Sequence, residues 1–227
     1  MTLVTFALDE RVATITMDDG KANALSPAML AAVHDAFGRA ETSDAGAVVL
    51  AGRPGRFSAG FDLAVLAGGG PDADGMLRSG FELAERVLGF PRPVVIACTG
   101  HAIAMGSFLL CAGDYRVGAA GEFRLHANEV AIGLTMPHAA VAILRHRLTP
   151  SAFDRAVGLA QACAPGDAVA AGWLDEVVAP DAVVATAQSV AASLVGLDPS
   201  AHAGSKRRAR ATVLADVRRG IEAEFGG

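Results

Sequence analysis

From Pro93 to Gly113 the chain carries no formal charge, and within that span the run Val94-Val95-Ile96-Ala97 is bounded by Pro91 and Pro93. A short, wholly apolar run that follows two prolines reads as a buried strand. A turn is expected at Thr99-Gly100-His101, followed by AIAMGSFLLCAGD, a helix apolar on every side and so buried on every side. The length would allow a membrane span, but a strand, a glycine-bearing turn and many small residues describe a core element. A strand that runs through a turn into a helix leaves free backbone N–H groups at the helix start, where the positive end of the dipole also lies. Such an arrangement suits a developing negative charge, although the same pattern also describes ordinary core.

A second segment of the same kind lies upstream: Arg56-Phe57-Ser58-Ala59-Gly60-Phe61-Asp62-Leu63 follows the apolar strand Ala47 to Leu50. Before it, Leu3 to Leu8 and Val12 to Met17 alternate around Asp9-Glu10-Arg11, the pattern of a β-hairpin. Ser26-Pro27 supplies a serine cap and a first-turn proline to a helix over Ala28–Arg39. Asp62 is placed to cap the helix that it opens, and Gly68 to Gly75 reads as a loop. Met76 to Leu88 is an amphipathic helix, ended by Pro91 and Pro93, and short strands are expected at Tyr115–Gly118 and Glu122–Leu125. Beyond Pro137 the pattern is helical, over Ala139–Arg147, Ser151–Leu159, Gly166–Ala171, Ala182–Leu194 and Ser205–Glu224. These readings describe an α/β core, residues 1–180, and a helical C-terminal region, residues 181–227.

Hydrophobic residues make up 52% of the chain and charged ones 19%, a globular balance. A net charge of −5 argues against a nucleic-acid partner, so any anion must be held by local groups. Cys98, Cys111 and Cys163 show no paired spacing and read as free thiols in a reducing compartment. MTLVTFALDE has no secretory pattern, so a cytoplasmic location is expected. His138 and His146 lack a third ligand at metal spacing, so no metal is expected. The run Lys206-Arg207-Arg208-Ala209-Arg210 is read as a solvated helix face, and Asp114 as a structural residue at a helix end.

The order FSAGFDL, GHAIAMGSFLLCAGDYRV, NEVAIGLTMP, preceded by VTFALDERVATITMDDGKANALS, resembles the crotonase superfamily, the enoyl-CoA hydratase/isomerase proteins. The resemblance reaches to about Val178. It implies ββα units wound into a spiral, with C-terminal helices that build a homotrimer or a dimer of trimers. It also implies an acyl-CoA thioester substrate and no separate cofactor, coenzyme A being part of the substrate. Mapped by position, the backbone N–H groups of Phe61 and Met105 would form an oxyanion hole. Lys21, Ala22, Ala24, Leu25, Ser58 and Ala59 match the CoA-binding surface, with Lys21 and Arg56 either phosphate contacts or ordinary exposed charges.

Hydratases of the superfamily use two glutamates. The position of the first is Phe108 here, a residue of the substrate pocket by the resemblance; the second is matched by Glu129, among Asn128, Val130, Ala131 and Ile132. Apolar neighbours raise a carboxyl pKa and suit it to proton transfer near neutral pH. One carboxylate can move a proton between carbons, so isomerisation of a 3-enoyl to a 2-enoyl thioester is favoured over efficient hydration. The alternative is a non-catalytic acyl-CoA-binding homologue. His101 and His126 flank the expected site, and hydrogen bonding within the turn is the simpler role for His101.

Overall fold

The computed structural model describes residues 2–225; residues 226 and 227, the end of the expected C-terminal region, lie outside it. The alternating segments pair as β1 (Val4–Asp9) and β2 (Val12–Met17), antiparallel with Val4 opposite Met17, through a turn in which Glu10 and Arg11 take φ of 44° and 65°. Such a turn matches the twist of the strands that it joins. β3 (Ala24–Leu25) leads to α1 (Pro27–Thr42), whose first turn is capped by Ser26 Oγ accepting the Met29 N–H at 3.2 Å. There follow β4 (Ala47–Ala51), β5 (Gly55–Ser58), β6 (Gly60–Phe61), α2 (Leu63–Gly68) and α3 (Gly70–Gly89). The middle of the chain forms β7 (Val94–Cys98), β8 (Gly100–Ile103), α4 (Met105–Ala112), β9 (Tyr115–Ala119) and β10 (Leu125–His126), then a single 3₁₀ turn, Val130–Ile132. The remainder is α5 (His138–Arg147), α6 (Pro150–Leu159), α7 (Pro165–Ala171), β11 (Glu176–Val178), α8 (Val183–Leu194), α9 (Pro199–Ala209) and α10 (Ala211–Phe225).

The main sheet has the order β1-β2-β4-β7-β9-β11 and is parallel except at β1–β2. β4, β7 and β9 each hand the chain to a short strand of a second sheet, β10-β8-β5, so β4–β5–α3 and β7–β8–α4 are successive turns of one spiral, while β2 leads to β3, which pairs with β6 in a separate two-stranded sheet. Val48 and Leu50 pack into the core beneath α1, α3 and α4, while Val49, Ala51, Val95 and Ala97 meet Val183, Ala187 and Ala191 of α8. Burial on both faces is why AVVLA and VVIAC read as unbroken apolar runs rather than alternating ones. No helix among the described residues is long and apolar enough to cross a membrane.

Four local expectations are corrected. Gly68 to Gly75 is no loop: Gly69 alone, at φ 62°, separates α2 from α3. Pro71 in the first turn and burial of Ala73 and Met76 against the core outweigh the low helix propensity of the glycines. The expected turn at Gly100-His101 is extended, because the chain leaves the main sheet at Thr99 to pair with β5 and β10, and the helix therefore starts at Met105. Strand pairing near Glu122–Leu125 begins only at Leu125. The single C-terminal helix is two, α9 capped by Asp198, whose side chain accepts the Ala201 N–H at 2.7 Å, and α10 following Arg210.

The basic run differs most. Lys206 and Arg210, four residues apart on one face, are each only 8% exposed and turn inward to Asp114, at 2.6 and 2.9 Å, while Arg207 and Arg208 stay in solvent. Asp114 also accepts the Val94 N–H at 2.7 Å, tying the end of α4 to the start of β7.

Candidate active site

The site begins with a carboxylate that shapes a loop. Asp19 accepts the backbone N–H groups of Lys21, Asn23 and Ala24 at 2.7, 2.9 and 3.1 Å. Burial raises its pKa, but these donors together outweigh burial and hold it below the usual value. Asn23, fully buried at φ 52°, donates from Nδ2 to Met17 O at 2.9 Å and to Arg56 O and Phe57 O at 3.3 Å. Ser58 Oγ donates to Asn23 O at 2.8 Å and accepts the Gly60 N–H at 3.1 Å. Through these bonds Lys21–Leu25 lies beside Ser58–Phe61, with Ala24 opposite Gly60 and Leu25 opposite Phe61. Lys21 and Ala59 are exposed, Ala22 and Ala24 half-buried. Ser58 and Leu25 are fully buried, so a ligand on this strip would meet their neighbours' surfaces rather than their side chains.

Gly60 brings the strip against the start of α4. At φ 90°, a Cβ on it would stand 2.9 Å from Ala104 Cβ and 3.4 Å from Met105 N, so only glycine permits this approach. Phe61 follows Gly60 and Met105 follows Ala104, so the two expected N–H donors leave adjoining stretches of backbone. Met105 is the first residue of α4, where an N–H has no carbonyl one turn back. Ala104 takes φ 48°, ψ −125°, an unusual conformation for a residue with a side chain and one that costs ~1–3 kcal/mol. It is held there by its N–H donating to His126 O at 2.8 Å and by its carbonyl accepting Ser107 N at 2.8 Å and Ser107 Oγ at 2.7 Å.

Glu129 stands three residues beyond His126, itself opposite Ile103 in β8; that much chain spans at most about 10 Å. Its side chain is buried and Oε2 has no hydrogen-bond partner, nor has the neighbouring Asn128 Oδ1. Burial pushes its pKa up to about 7, its own backbone N–H opposing only weakly. A carboxylate left unpaired inside a protein is costly, and such groups concentrate where protons are moved. Phe108 is one turn along α4 from Met105, 1% exposed, with its ring stacked on Phe81 at 6.1 Å. Phe81 also meets Phe61, edge to face at 6.2 Å, and Phe225 at 5.6 Å. Position 108 thus belongs to a closed aromatic cluster behind the helix start.

Both flanking histidines are occupied. His101 Nδ1 accepts the Arg124 N–H at 3.1 Å, and His126 Nε2 bonds Ala160 O at 2.8 Å. The structural parts that sequence reasoning did not single out are Asp19, Asn23 and Ala104. An Asx-type signal was present in Asp18-Asp19-Gly20, whereas nothing local marks an alanine that must adopt positive φ.

Backbone donors at a strained helix start, with a desolvated carboxylate nearby, are what proton transfer beside a carbonyl needs. The family described as enoyl-CoA hydratase/isomerase matches residues 8–225. The chain is 32% identical over 138 residues to a curated "Probable enoyl-CoA hydratase" of Bacillus subtilis, covering 59% of this chain and 53% of that one. It therefore spans about half of that relative's length. Among solved structures, an enoyl-CoA hydratase (ECHA3) from Mycobacterium marinum superposes with a TM-score of 0.94 at 50% identity, over 99% of this chain and 100% of that one. A Mycobacterium tuberculosis protein, described as an enoyl-CoA isomerase in one solved structure and as a probable enoyl-CoA hydratase (ECHA3) in another, superposes with a TM-score of 0.95 in both, at 48% identity over 99% of this chain and 98% of that one in the first and at 50% over 99% and 96% in the second. The spiral of ββα turns, the motifs in their order and these matches agree: the chain belongs to the enoyl-CoA hydratase/isomerase family of the crotonase superfamily.

Proposed function

We propose that the protein shifts the double bond of a 3-enoyl-CoA thioester to the 2-position, with Glu129 as the only carboxylate base. The observation that carries this reading is the buried, unpaired Oε2 of Glu129, its pKa raised to about 7, in a chain that has Phe108 where a hydratase would place a second glutamate. Ionised Glu129 takes a proton from the carbon alpha to the thioester carbonyl. The charge moves to the carbonyl oxygen, which accepts hydrogen bonds from the Phe61 and Met105 N–H groups. Glu129 then returns the proton to the gamma carbon, leaving the double bond conjugated with the thioester and the base as it began. No metal or separate cofactor takes part. Lys21, Ala22, Ala24 and Ala59 line the strip along which the CoA portion lies. The working form is a cytoplasmic homotrimer or a dimer of trimers, with the helices beyond residue 180 joining copies; light scattering would read three or six times 23.0 kDa.

The direct test follows absorbance in the enoyl-thioester band with 2-enoyl- and 3-enoyl-CoA of several chain lengths. Conversion of 3-enoyl substrates should greatly outpace loss of 2-enoyl substrates. Faster hydration of the 2-enoyl series would make the protein a hydratase, and tight binding with no turnover would make it an acyl-CoA binder.

A second expectation concerns Gly60→Ala. Because the added methyl would force Phe61 and Met105 apart, kcat/KM should fall on the order of 10²–10³, the usual effect of losing one oxyanion donor. A parental rate in a folded variant would show that the two groups do not act on one oxygen.

A further inference from the structure

Charge is concentrated at the far end of α4, the helix that Met105 opens. Arg147, the last residue of α5, donates to the carbonyls of Gly113 and Asp114, the second at 3.0 Å, and its Nε is buried without a hydrogen-bond partner. Asp114 in turn holds Lys206 and Arg210. Arg116, its side chain 4% exposed, pairs with Asp175 at 2.8 Å and donates to Gly172 O at 2.6 Å. Four cations, Arg116, Arg147, Lys206 and Arg210, therefore share two carboxylates, Asp114 and Asp175, which leaves an excess of two positive charges in a chain of net charge −5.

The neighbouring titratable groups do not restore the balance. Burial pushes the thiol of Cys111, in the last turn of α4, up to about 11. Burial, followed by the charges of Arg210, Arg147 and Arg116, pushes His146 down to about 4, and burial also lowers His202. All three are uncharged at pH 7. Glu176 bonds Tyr115 Oη at 3.4 Å and, among the described residues, pairs with none of the four cations.

α4 has only eight residues, so its ends stand about 12 Å apart, and all eight are buried, which keeps screening solvent from between them. A helix carries partial positive charge at its start and partial negative charge at its end. Over so short a length the negative end subtracts from the field at the Met105 N–H. Arg147 covers that end by donating to the carbonyls just past the last turn, and the excess charge around it adds a field of the same sign as the N–H groups.

We propose that Arg147 is a positioning residue for the reaction: with the net positive cluster around it, it acts through α4 to favour the anionic form of the oxygen bound at the helix start. The inference rests on the acyl-CoA reading, because it needs a thioester oxygen at Met105, yet all four cations stand a helix length from that oxygen. At this range, with an effective dielectric constant of about 20, one unit charge changes the ratio of enolate to keto form about three- to tenfold.

Acetoacetyl-CoA, a β-keto thioester that gives up its alpha proton to solvent, reads that ratio without turnover, from the ultraviolet band of its enolate when bound at pH 7, where Lys206 is still charged. The full-length Glu129→Gln variant is the host, so that no titrating base stands beside the ligand. In it, Arg147→Met and Lys206→Met should each lower the bound enolate-to-keto ratio about three- to tenfold, and Arg147→Lys should stay close to the host. Asp175→Asn, which enlarges the positive excess, should raise the ratio. Affinity for butanoyl-CoA, which does not ionise, should match the host in every variant. The opposite signs separate charge from damage, since a distorted helix start lowers the ratio whichever group is removed. If Arg147→Met does not fold, Lys206→Met and Asp175→Asn make the same comparison. A ratio that falls in Asp175→Asn as well, or that stays at the host value throughout, overturns the inference and leaves the oxyanion reading standing. A host that binds acetoacetyl-CoA with no more enolate than free solution overturns that reading, and this inference with it.

Discussion

Glu129→Gln should cut kcat by about 10²–10⁴ while leaving CoA-ester affinity close to that of the parent, because glutamine keeps the shape of the side chain and removes the base. The same substitution should stabilise the fold, with a definite pH signature. The folded-state pKa of Glu129, about 7, lies above the ordinary glutamate value of about 4.5, so its protonated form suits the folded chain. The contribution of this group is favourable below about pH 4.5 and is lost as pH rises through about 7, when a charge must be kept in a dry site. At pH 8 the glutamine variant should therefore unfold at higher temperature than the parent, by the equivalent of about 1–3 kcal/mol, and at pH 4 the two should coincide. In the parent, kcat/KM for the 3-enoyl substrate should rise with pH through about 7 as the base ionises. A glutamine variant as active as the parent would make Glu129 a bystander. Activity would then have to be carried by a histidine, although His126 and His101 are each already hydrogen-bonded.

Asp114→Asn should be strongly destabilising although it lies outside the site. Asp114 Oδ2 accepts from Lys206 Nζ at 2.6 Å and from Val94 N at 2.7 Å, and Oδ1 faces Arg210 at 2.9 Å. Burial pushes the pKa of Lys206 down to about 8, with Asp114 opposing that fall and Arg210 and Arg147 adding to it. Removing the carboxylate leaves two buried cations facing each other without a counter-charge. Breaking a buried pair in this way costs about 3–5 kcal/mol, which for a chain of this size lowers Tm by roughly 6–20 °C. Lys206→Met in the Asp114→Asn background should recover part of the loss by taking one uncompensated charge away. If Asp114→Asn melts with the parent, the cluster holds nothing together. Asp114 closes the helix that Met105 opens, so the C-terminal helices are fastened to the far end of the element that carries one expected oxyanion donor.

How much of this was legible in the sequence follows from the range of the forces involved. The β1–β2 hairpin, the capped start of α1 and the buried strands β4 and β7 rest on alternation, a serine–proline pair and unbroken apolar runs, all local signals within a few residues. Glu129 could be singled out because its immediate neighbours are apolar, and the desolvation that they predict is what raises its pKa in the structure. The family was legible because FSAGFDL, GHAIAMG and NEVAIGL occur in order. What local signals could not decide was direction. Lys206 and Arg210 look like any basic helix face until Asp114, some ninety residues away, turns them inward. Gly68 to Gly75 has the composition of a loop, and only packing of Ala73 and Met76 against the core makes it helical. Gly100 to Ile103 looks like a turn because its hydrogen-bond partners, β5 and β10, are distant in sequence. That same pairing forces Ala104 into its strained turn ahead of Met105. Residue type and short-range spacing determined the hairpin, the start of α1, the buried strands and which groups are able to react. The long-range pairing of strands, which no local pattern encodes, decided which of those groups meet.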